Sequence, residues 1–310
     1  MMQVVEQAGV NWTDVESPTR QDIELLSRDH PFHPLNLDDC LSRRQLPKIE
    51  VHEDHVFVLF HIPNYDEKRR LVVKAQVSMF IGRDYVVTIH GTDVKRLTSL
   101  FLNYMESQKL RMDGMDSTPR VVHNILDVLV DDLYPILSKV RGDMDEIEDK
   151  VFDERKSVAM ELSRLRRAIA DLRRMISPLR ALPVELWAKT KSFTNEDLSK
   201  YFGDVAEHAE KAWEVLNEAQ ETIEIFKDTD YVLSTELTNK VLTVLTVIFT
   251  ITIPVTVVGA IYGMNIPLPG GIQNEPPTFL GPYTSFILLM ALCLVSALGM
   301  VTYFRRKGWL

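Results

Sequence analysis

The chain has 310 residues with a formal net charge of −9 at pH 7, and 45% of its residues are hydrophobic. The acidic balance argues against nucleic acid as a partner, because a protein that neutralises phosphates needs a basic surface. Two cysteines, Cys40 and Cys293, are too few for a disulfide framework. The sequence has no glycine-rich phosphate loop and no His-Glu-x-x-His pair, so nothing in it points to an enzyme.

Residues 1–120 predict an α/β domain that lies in the cytoplasm. Residues 10–13 are typical of a short strand, and helices are expected at residues 21–27 and from residue 33 onward. Further strands are predicted where β-branched and aromatic residues are dense and polar turns separate them. These strands cover residues 56–61, 71–80 and 85–89, and the turns cover residues 64–68 and 82–83.

Residues 121–240 predict a long helical stalk, because apolar residues recur at spacings of three and four from Val121 onward. We expect a helical hairpin at residues 121–190, followed by a stalk helix from about residue 196. A helix that ran unbroken from there to Tyr262 would be on the order of 100 Å long. Only part of it would then fit inside a bilayer.

The predicted hairpin is divided by charge. Residues 143–154 are acidic and residues 164–174 are basic, so the two segments could face each other in an antiparallel pair. Local ion pairs on two solvated faces are the favoured interpretation, because exposed ion pairs contribute little to stability. Pro178 and Pro183 are expected to interrupt the second helix of the hairpin.

Two uncharged segments near the C-terminus predict a transmembrane hairpin. Between Lys240 and Arg305 the only charged residue is Glu275, and about 20 apolar residues are enough to span a bilayer. Basic residues flank the hairpin, so the positive-inside rule predicts a cell-membrane protein with both termini in the cytoplasm. Transmembrane helix 1, the external loop, transmembrane helix 2 and the basic tail are placed at residues 241–262, 263–282, 283–304 and 305–310.

Transmembrane helix 1 differs from a simple anchor, because it carries five threonines together with Pro254 and Gly259. Such a helix could line a path for a polar solute. A threonine hydroxyl can also bond to the backbone of its own helix, in which case the threonines carry no function. One chain with two spans cannot enclose a pore, so a path requires several copies of the chain.

The loop and its surroundings resemble a known family. Tyr262, Gly263, Met264 and Asn265 directly follow the first span, and the second span ends in a basic tail. This arrangement, behind a long charged helix, resembles the CorA family of magnesium and cobalt transporters. Agreement extends upstream to the segments that begin at His33, Lys48 and Tyr201. The resemblance implies a homopentameric funnel-shaped channel in the lipid bilayer, with divalent cations as its partners.

The sequence departs from familiar bacterial members of this family in two ways. Its N-terminal region is shorter, so part of the usual N-terminal sheet is expected to be missing. The stretch after Asn265 reads Ile-Pro-Leu-Pro-Gly-Gly and lacks the usual external acid. Glu275 is therefore the only candidate in the loop for attracting cations.

The resemblance implies a selectivity filter at Gly263, Met264 and Asn265. The amide oxygen of Asn265 is neutral, which suits Mg²⁺ because this ion keeps several of its waters when it binds. The alternative is that these residues only turn the chain out of the helix. The resemblance also implies a line of pore residues in which the leucines and the isoleucine form apolar constrictions. These residues are Asn239, Leu242, Leu245, Ile253, Thr256 and Ala260.

The resemblance also implies that acids of the soluble region regulate the channel by binding Mg²⁺. By resemblance, Asp39 and Asp204 meet between subunits and share a regulatory Mg²⁺, with Asp38 and His208 as neighbours. Intracellular Mg²⁺ would hold the channel closed, and its loss would open the pore. The alternative for each acid is an ordinary surface charge.

The expected function is channel-like influx of Mg²⁺ down its electrochemical gradient. One alternative keeps the fold and transports Co²⁺, Ni²⁺ or Zn²⁺. The alternative from another class is a non-conducting, membrane-anchored helical scaffold or sensor.

Overall fold

In the computed structural model, which describes residues 2–42, 45–66, 71–152, 158–264 and 284–308, six strands form one sheet. The strands are β1 (Met2–Gln7), β2 (Val10–Glu16), β3 (Lys48–Val51), β4 (Val56–Asp66), β5 (Leu71–Ile81) and β6 (Tyr85–His90). Their order across the sheet is β1-β2-β6-β5-β4-β3. Strands β2 and β6 run parallel, and the other neighbours run antiparallel.

The predicted strands are confirmed, with two corrections. Strand β4 continues to Asp66, so residues 64–66 belong to the strand and not to the predicted turn. Strand β3 was not predicted as a separate strand, and neither was strand β1. Strand β1 pairs with β2 across a two-residue turn in which Ala8 and Gly9 have φ angles of 53° and 80°. Left-handed conformations at both positions give a hairpin turn whose twist matches that of the strands.

Pro178 lies one residue before the end of one helix and Pro183 lies in the first turn of the next, so the chain is interrupted between the two prolines as expected. The described helices exceed the predicted ones, because residues 95–114 also form helices and residues 121–190 contain four helices where a hairpin was expected. They are α1 (Arg20–Asp29), α2 (Pro34–Leu41), α3 (Lys95–Glu106), α4 (Gln108–Gly114), α5 (Thr118–Asp131), α6 (Leu133–Val151), α7 (Ala159–Leu179), α8 (Leu182–Thr190), α9 (Ser199–Tyr262) and α10 (Thr284–Arg306). The chain divides into two units, Met1–Asp228 and Thr229–Leu310, and α9 contains residues of both.

The sheet carries an apolar core on each face, because successive side chains of a strand point to opposite faces. On β4, Val58 and Phe60 belong to the larger core, which also contains apolar residues of α3 and of α5 to α9. Phe57 belongs to the smaller core, together with Ile23 of α1 and Leu37 of α2. Helices therefore cover both faces, and among the described helices only α1 and α2 contribute to the smaller core.

The basic segment of α7 forms its described ion pairs within α7 and with α9. Arg174 lies 3.5 Å from Asp171 in the same helix, and Arg166 lies 3.1 Å from Glu224 of α9. The guanidinium of Arg180, the residue after α7, contacts the carboxylate of Glu210. The favoured interpretation of local pairs is confirmed in part, since Lys150 and Glu146 pair within α6 at 2.8 Å. The sequence did not indicate that α9 supplies partners for the arginines.

A buried ion pair joins β2 to β6. His90 Nε2 lies 3.1 Å from Asp14 Oδ1, and His90 Nδ1 lies 2.8 Å from the backbone oxygen of Gly91. The hydroxyl of Thr88 also donates to Asp14. Burial alone would lower the pKa of His90, but the hydrogen bond to Asp14 is the main cause that raises it above its ordinary value.

Candidate cation sites and membrane helices

Helix α2 presents two adjacent acids, and its start is fixed by local sequence. His33 Nδ1 accepts the backbone N–H of Leu35 at 3.3 Å, and Pro34 occupies the first turn, where its missing N–H costs nothing. Asp38 is exposed and Asp39 is partly buried. The two carboxylates therefore have different surroundings although they are neighbours in the chain.

Asp39 is held in place through both its side chain and its backbone. Its Oδ2 lies 2.7 Å from Lys48 Nζ, and its side chain is 17% exposed. Its backbone oxygen accepts a hydrogen bond from Gln76 Nε2 at 3.0 Å. The carboxylate is thus positioned by residues of β3 and β5, and it already has a cationic partner.

Lys48 has two further acceptors. Its Nζ lies 2.8 Å from Glu50 Oε1 and 3.2 Å from Asn36 Oδ1. Burial alone would lower the pKa of Lys48, but the hydrogen bonds to Asp39 and Glu50 together raise it. The same contact with Lys48 is the main reason that the pKa of Glu50 is lowered. Lys48 is therefore a firmly charged ammonium between two carboxylates.

The second candidate region lies in the soluble part of α9. His208 Nε2 is 3.9 Å from Asp204 Oδ2, one helical turn earlier, and its Nδ1 is 3.4 Å from Asp131 Oδ1 on α5. The side chain of Asp204 is 64% exposed. His208 thus connects the predicted acid Asp204 to an acid that the sequence analysis did not select.

Asp127, Asp131 and His208 form a compact cluster of possible metal ligands. One ligand atom from each lies within 4.8 Å of the others. Burial, followed by the nearby charge of Asp131, raises the pKa of Asp127, so two carboxylates repel each other in a partly desolvated place. A divalent cation would relieve that repulsion. The spacing of Asp127 and Asp131, four residues apart on one helix, was the sequence signal that could have identified them.

The structure does not bring the two predicted regulatory acids together within one chain. Among the described residues, Asp39 is paired with Lys48 and Asp204 lies beside His208, and no described contact joins the two acids. The expected contact between Asp39 of one subunit and Asp204 of another requires several copies of the chain, so it remains a prediction.

The threonines of the membrane part of α9 all bond to their own helix. Thr246 donates to Leu242 O at 2.7 Å, and Thr256 donates to Ile253 O at 2.9 Å. Thr243, Thr250 and Thr252 do the same with carbonyls one turn earlier. The donor of each hydroxyl is therefore used by the backbone, as the non-functional interpretation requires. The lone pairs of each oxygen remain available as acceptors.

Most residues of the membrane part of α9 are exposed, and one line of residues is shielded. The six residues predicted to line the pore are all exposed, whereas a second line of residues is buried or half-buried. At about 100° per residue, the centres of the two lines lie roughly 130° apart around the helix. The shielded residues are Thr243, Val247, Thr250, Ile251, Pro254 and Val258.

The start of the predicted filter lies at the end of α9. Gly263 donates its backbone N–H to Gly259 O at 2.9 Å, and Met264 donates to Ile261 O at 3.2 Å. These bonds close the last turn of the helix. Asn265 and Glu275 lie outside the described residues, so their predicted roles are retained as predictions.

The fold and the membrane helices together define a class of protein. An α/β unit with helices on both sheet faces precedes two helices, α9 and α10, that are each long and apolar enough to cross a membrane. Apolar side chains of these stretches, such as Leu245 and Leu298, are largely exposed in the chain. This is the architecture of a membrane protein with a soluble α/β domain.

Comparison with known proteins identifies the family. The model of the family described as CorA-like Mg²⁺ transporter protein matches residues 7–306, so the chain belongs to that family. The cobalt/magnesium transport protein CorA of Thermotoga maritima is 28% identical over 312 residues, which cover 96% of this chain and 83% of that protein. The chain is therefore a transporter of the divalent-cation type and not an enzyme.

Two solved structures share the fold. The complete CorA magnesium transporter from Methanocaldococcus jannaschii has a TM-score of 0.80 at 23% identity, covering 99% of this chain and 93% of that one. The full-length CmaX protein has a TM-score of 0.74 at 20% identity, with coverage of 97% and 89%. The chain is thus a two-span membrane protein with an N-terminal α/β domain and a long helix.

Proposed function

We propose that the chain forms a homopentameric channel that lets Mg²⁺ enter the cell down its electrochemical gradient. The observation that carries this proposal is that the line of residues from Asn239 to Ala260 lies on the exposed side of α9, away from the shielded line, and that α9 ends at Tyr262, directly before the predicted filter. Each chain contributes one such line, so several copies are needed to enclose a path. The solvent-exposed apolar surface of α9 and α10 requires lipid or other copies to cover it.

The proposed path combines apolar and polar positions. Leu242, Leu245 and Ile253 would form rings that close the path by dewetting when the rings are narrow. Asn239 and Thr256 would contribute oxygens to a hydrated ion, because the lone pairs of Thr256 are not consumed by its bond to the backbone. The shielded line is the less suitable lining, since Val247 is only 5% exposed.

The proposed filter follows at the outer end of the helix. A ring of Asn265 amides offers neutral oxygens to an ion that retains its waters, so the ion is selected without being trapped. Moving two charges through 100 mV is worth about 4.6 kcal/mol, which makes uptake favourable without ATP. With both termini in the cytoplasm, Glu275 would attract cations to the outer mouth.

The proposed regulatory sites lie in the cytoplasm. Two carboxylates about 4 Å apart repel each other by about 4 kcal/mol at an effective dielectric constant of 20, and a bound dication reverses the sign. We extend the expected set of Asp39, Asp204, Asp38 and His208 by Asp127 and Asp131. The geometry of the cluster around His208 supports this extension. Mg²⁺ bound there would favour the closed state, and its loss would favour the open one.

One observation favours a second candidate ion. His208 places an imidazole nitrogen beside Asp131, and nitrogen ligands suit Co²⁺, Ni²⁺ and Zn²⁺ better than they suit Mg²⁺. The Thermotoga maritima relative is named for both cobalt and magnesium. The imidazole of His208 bears on which ion could bind the regulatory cluster, and the name of the relative bears on which ion is transported, so transport of Co²⁺ by the same path is the alternative to be tested. A non-conducting scaffold remains the alternative of another class.

The filter proposal is tested by the substitution Asn265→Ala. Purified protein is reconstituted in liposomes and Mg²⁺ entry is followed with a trapped indicator under an inside-negative potential. Loss of the amide ring should reduce the initial rate at least about tenfold, because a polar contact to a charged group is worth about 1.5 kcal/mol and about 1.4 kcal/mol of barrier is tenfold in rate. Asn274→Ala is the matched control, since it removes the same side chain from the same loop, and it should transport normally. An assembled Asn265→Ala protein with unchanged Mg²⁺ entry would contradict the filter proposal, whereas no Mg²⁺ entry through the assembled wild-type protein would support the scaffold alternative.

A further inference from the structure

The ammonium of Lys48 contacts the carboxylate of Asp39, to which the regulatory cation is proposed to bind. Lys48 Nζ lies 2.7 Å from Asp39 Oδ2, and the Asp39 side chain is 17% exposed. We propose that Lys48 is a built-in counter-ion that competes with the divalent cation for Asp39 and so sets the cation concentration at which this site fills. The inference rests on the proposed role of Asp39 as a cation ligand.

The ammonium of Lys48 is fully coordinated. An ammonium has three N–H donors and no acceptor, and the three acceptors around it are Asp39, Glu50 and Asn36. The Nζ also lies 5.2 Å from the centre of the Phe57 ring, which favours a cation there. Lys48 is therefore a fixed partner of Asp39 and not a mobile surface lysine.

Asn36 fixes the direction of this network. Lys48 can only donate, so the oxygen of the Asn36 amide must face it, and the Asn36 nitrogen then donates to His52 Nε2 at 3.0 Å. Asn36 is 1% exposed, so it has no solvent with which to exchange these partners. The orientation of the amide thus holds the Lys48 ammonium at the end of α2.

A divalent cation cannot share the Asp39 oxygen with this ammonium at no cost, because the two positive charges repel each other at contact range. A cation on the other oxygen, Oδ1, is also repelled by the ammonium, because both oxygens belong to one carboxylate, so cation binding and the Asp39–Lys48 pair oppose each other. Glu50 makes displacement of Lys48 possible, because it is already bonded to Lys48. After the cation has bound to Asp39, Glu50 can still neutralise the positive charge of Lys48. The arrangement therefore predicts competition for Asp39 and not permanent blockage of the site.

Competition can be told from a merely structural role by the direction of the effect. If Lys48 competes, removing its charge must make the site easier to fill. If Lys48 only holds α2 against β3, removing it must disorder Asp39 and make the site harder to fill. Glu50 supplies a second variant with the opposite sign, because Glu50→Gln removes the alternative partner and should tighten the hold of Lys48 on Asp39.

The test measures the Mg²⁺ concentration that half-protects the purified full-length protein from chymotrypsin, whose aromatic cleavage sites these variants leave unchanged. Lys48→Gln should lower this midpoint about two- to fivefold, the size expected for one ion pair that is partly open to solvent. Glu50→Gln should raise it, and Lys48→Arg should stay near the wild-type value because the charge is kept. Lys189→Gln on α8 is the matched control and should change nothing.

The possible outcomes separate the two proposals. If the wild type shows no Mg²⁺ protection, or if Asp39→Ala leaves the midpoint unchanged, the regulatory role of Asp39 is wrong. If both of these behave as proposed but Lys48→Gln leaves the midpoint unchanged or raises it, the competition by Lys48 is wrong on its own. If Lys48→Gln does not assemble, a Glu50→Gln midpoint that does not rise contradicts the inference in its place.

Discussion

The two units of the chain differ in whether their apolar side chains are buried or exposed. In Met1–Asp228 the large residues of the sheet are inside, and Phe57 and Phe80 are 0% exposed. In Thr229–Leu310 comparable side chains face outward, and Leu242 and Leu298 are 54% and 56% exposed. The first unit is stabilised by burying its apolar surface away from water. The second unit has apolar surface on its outside, where lipid can contact it.

The two units also differ in where their threonine hydroxyls donate hydrogen bonds. In the first unit the hydroxyl of Thr118, which is 0% exposed, crosses from α5 to the backbone oxygen of Gly82 at 2.8 Å. In the second unit the hydroxyl of Thr252 lies 2.9 Å from Ile248 O and 3.3 Å from Phe249 O, both in its own helix. A helix in lipid must satisfy its polar groups internally, while a folded domain can use them to join elements. The difference can be tested by removing one polar group at a time.

The largest effect is expected at the buried pair of Asp14 and His90. His90→Leu leaves the Asp14 carboxylate without its charged partner and should destabilise the soluble unit by about 3 kcal/mol. The measurement is thermal unfolding of the full-length protein in detergent near pH 6. The double variant Asp14→Asn with His90→Leu is the control. It should recover part of the loss, because it no longer buries an unpaired charge.

The pH dependence of the same pair has a definite sign. The pKa of His90 is raised in the folded protein, so its stabilising contribution is complete below the ordinary histidine pKa of about 6.5. That contribution is lost as the pH rises through the raised pKa. The stability gap between wild type and His90→Leu should therefore narrow from pH 6 upward, and a gap that widens would contradict the ion pair.

A smaller effect separates the threonines of the two units. Thr118→Val removes the partner of a buried carbonyl and should cost about 1–2 kcal/mol of stability. Thr252→Val removes a hydroxyl from a carbonyl on the same helix and should cost less than about 0.5 kcal/mol. Thermal unfolding of both variants in the same detergent gives the comparison. Equal losses would show that Thr252 bonds to something other than its own helix.

The sequence predicted some parts of the molecule better than others. The spans were readable because a bilayer fixes both the length and the composition of a crossing helix. Strand β1 was missed because its register depends on the turn at Ala8, where a left-handed alanine gives no composition signal. The end of β4 was misjudged because Asn64 is typical of turns, yet its side chain donates to Asp93 O at 2.8 Å while the backbone stays extended.

The candidate sites show the same limit. The resemblance suggested Asp39 and His208, but it did not indicate that Lys48 already lies on Asp39 or that Asp131 lies beside His208. Contacts between residues that are distant in the chain depend on how helices and strands pack. No spacing along one segment encodes them. Asp127 and Asp131 were readable as a pair on one helix, but their partner on α9 was not.

The central claim is that the chain conducts divalent cations without an energy source other than the membrane potential. The direct measurement is entry of Mg²⁺, Co²⁺ and Zn²⁺, each tested in turn, into liposomes that contain the purified protein and no ATP. We predict Mg²⁺ entry under an inside-negative potential, and a rate that falls when the potential is abolished. Entry of Co²⁺ or Zn²⁺ without Mg²⁺ would contradict the proposed selectivity, and no entry of any of the three ions would contradict transport itself.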